Sequence, residues 1–95
     1  MKAYQLLEKP DSWTQVFFAR DKNGEDVDLD SPQACKWCLM GAINRCYKYC
    51  ETREKVTTQI FEYFNSKGIF SVTKWNDAPE RKHEEVVGVL KELDI

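Results

Sequence analysis

The 95-residue chain contains no apolar run approaching the ~20 residues a membrane helix needs. It also has no short apolar stretch near the N-terminus of the kind a secretory signal carries. A basic stripe is missing: net charge is −2, both signs are mixed along the chain, and the longest basic run is Arg81-Lys82-His83. A dedicated nucleic-acid binder is therefore not expected. There is no Gly-rich phosphate loop, no nucleophile elbow and no recognisable pair of catalytic carboxylates. Histidine occurs once, at His83. These absences describe a cytoplasmic protein with no membrane or nucleic-acid partner and no implied cofactor.

What is present is a folding composition. With 42% hydrophobic and 32% charged residues, the chain can bury one modest core but not two, so residues 1–95 are expected to form a single domain. Aromatics at 13% supply bulky filling for that core. Four cysteines lie between Cys35 and Cys50. Without an export signal they fit a reduced compartment better than a disulfide scaffold.

The spacing predicts an α+β fold, a β-hairpin packed against about four helices. Residues 2–9 read as a short helix ended by Pro10-Asp11. Asn23-Gly24 is the strongest short-range hairpin signal, and a type I′ turn there pairs Arg20 with Val27 and Phe18 with Leu29. Val16, Phe18, Val27 and Leu29 then share the face expected to be buried. Ser31-Pro32 starts a helix predicted to reach about Tyr49, with Ala34, Cys35, Cys38, Leu39, Ala42, Ile43, Cys46 and Cys50 on one side. Another helix is expected from Thr52 to Asn65. Ile69 to Trp75 reads as a third extended segment. Asp77 is the expected N-cap of a last helix, with Glu80 completing a capping-box pair.

Cys35-x-x-Cys38 and Cys46-x-x-x-Cys50 look superficially like zinc ligands. On one helix, Cys35 and Cys50 would stand about 22 Å apart along the axis, too far for four thiolates to meet one ion. Core packing is the ordinary role of such cysteines, and no metal is expected. Cys38, His83 and Asp77 have the residue types of a thiol enzyme or ligand-binding domain, which is the alternative function. On the helical reading, however, Cys38 sits on an apolar face, where burial raises a thiol pKa. Asp26-x-Asp28-x-Asp30 resembles the start of an EF-hand loop, but Ser31 stands where glycine is needed and Trp37 where glutamate is needed. Trp75-Asn76-Asp77-x-Pro79-x-Arg81 reads either as a helix entry or as a polar recognition site.

Three blocks then appear in order: Ala19-Arg20-Asp21-x-x-Gly24, Trp37-Cys38-Leu39-x-Gly41-Ala42 and Trp75-Asn76-Asp77-x-Pro79-x-Arg81. From about residue 13 onward the chain resembles a family of small bacterial and bacteriophage proteins of unknown function that carry these blocks. The resemblance implies that Trp37, Cys38, Gly41, Trp75, Asn76 and Asp77 act jointly. It leaves Cys35, Cys46 and Cys50 outside the pattern, and it implies a phage or mobile-element origin. Gly41, costly in a helix interior, is expected where a neighbouring backbone comes close. The Trp75-Asn76-Asp77 turn is expected to dock near Trp37-Cys38. Trp37, Cys38, Trp75, Asn76, Asp77 and Arg81 are the candidate binding residues. The expected function is a non-enzymatic binding or accessory protein acting on a host or phage protein.

Overall fold

The computed structural model describes all 95 residues. A turn does form at Asp21–Gly24, but not as type I′. The Gly24 N–H donates to the Asp21 carbonyl (3.0 Å) and the Asp21 N–H to the Glu25 carbonyl (3.0 Å). The backbone has positive φ at Gly24 (82°) and not at Asn23. This is a type I turn closed by a left-handed glycine, which takes one more residue than the two-residue loop. Asp21 Oδ1 secures it by accepting from the N–H groups of Asn23 (2.8 Å) and Glu25 (3.0 Å). The register therefore moves by one, and Arg20 faces Asp26 instead of Val27. A one-residue slip exchanges the two faces of a strand. Ala19 is accordingly buried, while Val16 and Phe18, expected inside, are exposed together with Phe17, because residues 15–18 bend instead of continuing the strand.

The paired strands are β1 (Ala19–Arg20) and β2 (Lys36–Trp37), antiparallel, with Ala19 opposite Trp37 and Arg20 opposite Lys36. The Cys35 N–H donates to the Arg20 carbonyl (2.9 Å) and the Cys38 N–H to that of Phe18 (3.2 Å). From the other side of β2, the Thr14 N–H donates to the Trp37 carbonyl (3.0 Å). These bonds claim a backbone that apolar spacing had assigned to one long helix from Pro32 to Tyr49. Helix propensity is a weak preference that tertiary pairing overrides. The helix that remains, α2, is Leu39–Cys46, and α3 is a separate helix at Cys50–Asn65. All four cysteines are free and lie on different local structures, so the helical argument about their spacing falls. No three His, Cys, Asp or Glu side chains gather in a metal-holding group.

The predicted extended segment 69–75 is likewise overturned. Val72–Asp77 is helix α4, capped by Ser71, whose Oγ accepts from the Lys74 N–H (3.2 Å). It stops at Ala78 (φ −58°, ψ 134°) because a residue before proline avoids the helical region. Asp77 therefore closes one helix instead of capping the next. The last helix, α5, is His83–Glu92. Glu85, not Glu80, reaches back to its start, where Oε1 accepts from the Lys82 N–H (2.8 Å). At the N-terminus, α1 is Ala3–Leu6 and a single 3-10 turn covers Pro10–Ser12.

The α+β expectation holds: five α-helices and a two-stranded sheet enclose one core. Helix α2 touches α1, α3 and α4, and its Leu39 and Ile43 are fully buried with Leu7, Ile60, Phe64, Val86 and Leu90. The radius of gyration is 12.4 Å, close to the ~12 Å expected of one compact unit this long. No helix is long and apolar enough to cross a membrane.

Candidate functional site

Asn76, only 1% exposed, is the sole buried polar residue. Its Oδ1 accepts from the Trp13 indole N–H (2.9 Å) and the Leu39 backbone N–H (3.2 Å). Its Nδ2 donates to the Thr14 carbonyl (3.2 Å) and to Asp77 Oδ1 (2.9 Å). Both lone pairs and both protons of the amide are thereby used. Around this hub the segment 13–16 is tied down on every side. Gln15 Nε2 donates to the carbonyls of Asn76 (2.9 Å) and Ala78 (2.8 Å), and the Val16 N–H donates to Asp77 Oδ1 (2.9 Å). The Arg20 guanidinium donates to Thr14 Oγ1 (2.8 Å), the Gln15 carbonyl (3.1 Å) and the Gly24 carbonyl (2.8 Å). Val16 is held at φ 78°, a conformation that a β-branched residue adopts only when its surroundings impose it.

The blocks carrying the resemblance thus meet. Asn76 bonds directly to Leu39, the residue after Cys38, and Arg20 fastens the first block to the same segment. The two indoles go to separate neighbours. Trp37 Nε1–H donates to the Leu29 carbonyl (3.0 Å), with the Arg45 guanidinium 5.9 Å above the ring. Trp75 packs on Phe64 (4.8 Å) beneath Arg81 (4.0 Å). Arg81 also donates from Nε to the Trp75 carbonyl (2.8 Å) and pairs with Glu85 (3.0 Å). Of the six residues singled out from sequence, Trp37, Cys38 and Asn76 are buried, and Trp75, Asp77 and Arg81 are half-buried.

Cys38 is the N-cap of α2, not a mid-helix residue, and its Sγ accepts from the Gly41 N–H (3.2 Å). It is 3% exposed. Burial pushes its thiol pKa up, and the Asp77 carboxylate adds to this. The N–H groups of Gly41 and Met40 pull the other way but do not win. His83 spends Nε2 on the Leu7 carbonyl (2.5 Å), with its ring tilted against Trp13. Asp77 is committed to Val16 and Asn76. In the native protein iodoacetamide should modify the exposed Cys35 and Cys50 and leave Cys38 untouched until unfolding. Fast native labelling of Cys38 at neutral pH, read by peptide mass mapping, would revive the thiol-enzyme reading.

Cys46 and Tyr47 are also pushed up, burial again being the main cause. All three groups keep protons in the fold that the unfolded chain would release. Their stabilisation is complete below the ordinary thiol pKa and is lost as pH rises through the raised values. Urea midpoints should therefore fall from neutral to alkaline pH. A flat profile would mean that these groups are solvated.

The exposed surface carries a second feature. Phe18, Met40, Phe61, Phe70 and Val72, with Asn44, Ser71 and Thr73, line an open depression of about 330 Å³. Phe70 is 82% exposed, Phe18 52% and Phe61 46%. None of the lining side chains is charged. Of the other depressions, one follows the polar face of α3 at Glu51, Glu54 and Lys55, and another places Phe18 beside Asp26 and Asp28. Val16-Phe17-Phe18 is a run of three exposed apolar residues, which folding alone does not call for. Its main chain is seated on α2, since a Cβ at Gly41 would lie 2.1 Å from the Phe18 carbonyl oxygen. Phe18 had been expected on a buried face, and residue type alone gave Phe61 and Phe70 no surface role. One signal was available: Phe61 lies off the Val56–Ile60–Phe64 stripe that α3 buries.

A family model described as a family of unknown function, DUF6197, matches residues 1–93. The chain belongs to that family, and the match extends past the region from residue 13 that carried the resemblance. No curated protein and no solved structure matches the chain.

Proposed function

We propose that this family member is a non-enzymatic binding module, phage-borne and acting in the cytoplasm of a bacterial host, that recognises another protein through the Phe18–Met40–Phe61–Phe70 depression. The observation that carries this reading is the display of three large aromatic side chains on a frame whose polar groups are otherwise satisfied. No buried side-chain N or O lacks a partner, so the interior holds no polar group waiting for a ligand. The block pattern supports the phage origin. A charge-free lining in a chain of net charge −2 disfavours nucleic acid, whose backbone demands cations.

The size of the patch favours a short segment of another protein over the folded surface of a second copy of this chain. The exposed parts of Phe18, Phe61 and Phe70 amount to just under two whole phenylalanines, about 270–450 Å² of apolar surface. Two folded surfaces in a stable complex, two copies of this chain included, take ~800 Å² from each partner, whereas patches of ~300–600 Å² are the size often used for function on monomers.

The test is capture from a bacterial lysate with three baits: wild type, Phe70→Ser and Phe61→Ser. Phe70 is 82% exposed and Phe61 46%, so Phe70→Ser should move stability by less than ~0.5 kcal/mol and Phe61→Ser by about 1–2 kcal/mol through the area it buries, leaving both baits folded. Each should nevertheless weaken partner retention about tenfold or more. A partner held equally well by all three baits would end this reading.

A further inference from the structure

We infer that the occupant of this depression is an amphipathic α-helix of the partner, seating two or three apolar side chains between α2, α3 and the start of α4. The inference rests on the binding reading above and adds the form of the ligand. Its first support is hydrogen bonding. An extended segment brings unpaired N–H and C=O groups at every residue and needs a sheet edge or many polar side chains to receive them. The lining offers three neutral polar side chains, and Ser71 already accepts from the Lys74 N–H. The two strands are two residues each, and the one lining carbonyl next to them, that of Phe18, is taken by the Cys38 N–H. A helix satisfies its own backbone and asks nothing of the groove but apolar contact.

The second support is shape. Met40 and Asn44 stand one turn apart on α2, and Phe61 projects from α3. The buried Val72 and the exposed Phe70 and Thr73 line the depression from the start of α4 and the residues before it. A trough bounded by helices receives the ridge of a third helix, with anchors spaced i, i+3 or i+4, and i+7. The limited aromatic area sets the number of anchors at two or three. The absence of charge in the lining places any charged residues of the ligand on its outer face.

The probe is a displayed library of random peptides of about 15 residues, long enough for an isolated helix to begin to form. Selection is on the wild-type chain with counter-selection on Phe70→Ser. Recovered peptides should carry apolar residues at helical spacing and gain helical circular dichroism on binding. They should shift the amide resonances of Met40, Asn44, Phe61 and Thr73. Alanine at one anchor, or proline between anchors, should weaken them about tenfold or more. Proline-rich or alternating peptides that shift the same resonances would overturn the helix and leave the groove standing. Peptides that shift only other residues, or no recoverable groove binder at all, would remove both. A wild-type dimer in sedimentation that Phe70→Ser disperses would replace the partner helix with a second copy.

Discussion

Asn76→Leu should destabilise the domain by about 3–5 kcal/mol, the larger part of what a small domain possesses. Leucine has the same number and branching of side-chain heavy atoms and a larger volume, so the loss is not a cavity. It arises because the Trp13 indole N–H and the Leu39 N–H lose their common acceptor and the Thr14 carbonyl loses its donor. Buried groups left without partners cost about 1–3 kcal/mol each. Asn76→Asp separates this account from generic sensitivity. The acceptor survives, but an oxygen now faces Thr14 and Asp77 where a donor stood. Burial and the Asp77 charge would raise the new carboxyl's pKa, so that variant should recover stability as pH falls and lose it as pH rises. Urea melts at several pH values read both effects. An Asn76→Leu variant within ~1 kcal/mol of wild type would show that solvent reaches the hub.

Gly41→Ala should cost about 2–4 kcal/mol, against the usual sign of the change. In an open helix interior, alanine for glycine adds up to ~1 kcal/mol of stability. Here the new Cβ would meet the Phe18 carbonyl oxygen at 2.1 Å and its carbon at 3.0 Å. Backbone cannot swing aside as a flexible side chain does, so α2 and the 13–18 segment must part. The bond from the Cys38 N–H to Phe18 would stretch with them. Gly88 is the internal control: it lies in α5 with nothing within 4 Å of an added Cβ. Gly88→Ala should stabilise by ~0.5–1 kcal/mol. Opposite signs for the two substitutions in parallel denaturation curves are the expected result, and equal signs would refute the close approach.

Much of the architecture could be read from the chain because it rests on local rules. Gly24 marks its turn, Gly41 announces a close backbone, and the stripe of Val56, Ile60 and Phe64 identifies α3. The misreadings share one cause. Pro32–Cys38 has helical apolar spacing, yet its amides are claimed by the carbonyls of Phe18 and Arg20, far away in sequence. Ile69–Trp75 looks extended by composition, but Ser71 as cap and Pro79 as stop bracket a short helix. The Ser71 cap is outweighed in composition by the β-branched Val72 and Thr73 that follow it. The meeting of Asn76 with the WCL block was foreseen from the pattern, whereas the hub's bonds to Trp13, Thr14 and Val16 were not. Those bonds run mostly to main-chain atoms, which leave no trace in residue type. The aromatic surface was hidden for a related reason, because the chain bends at 15–18 instead of extending as a strand, and Phe18 lies at the rim and not in the core.

The grip on the 13–18 segment has a consequence for how such a protein can change. Asp77 holds the Val16 N–H, Arg20 and Gln15 bond through carbonyls, and Gly41 and Cys38 seat the Phe18 carbonyl. At 16 and 18 these bonds use main-chain atoms alone, whereas the Phe17 ring packs under the Arg20 guanidinium at 4.5 Å. Mutation at 18 can therefore rewrite its part of the depression without disturbing the frame beneath it. On the proposed binding role, selection can tune recognition one exposed residue at a time while the fold stays constant.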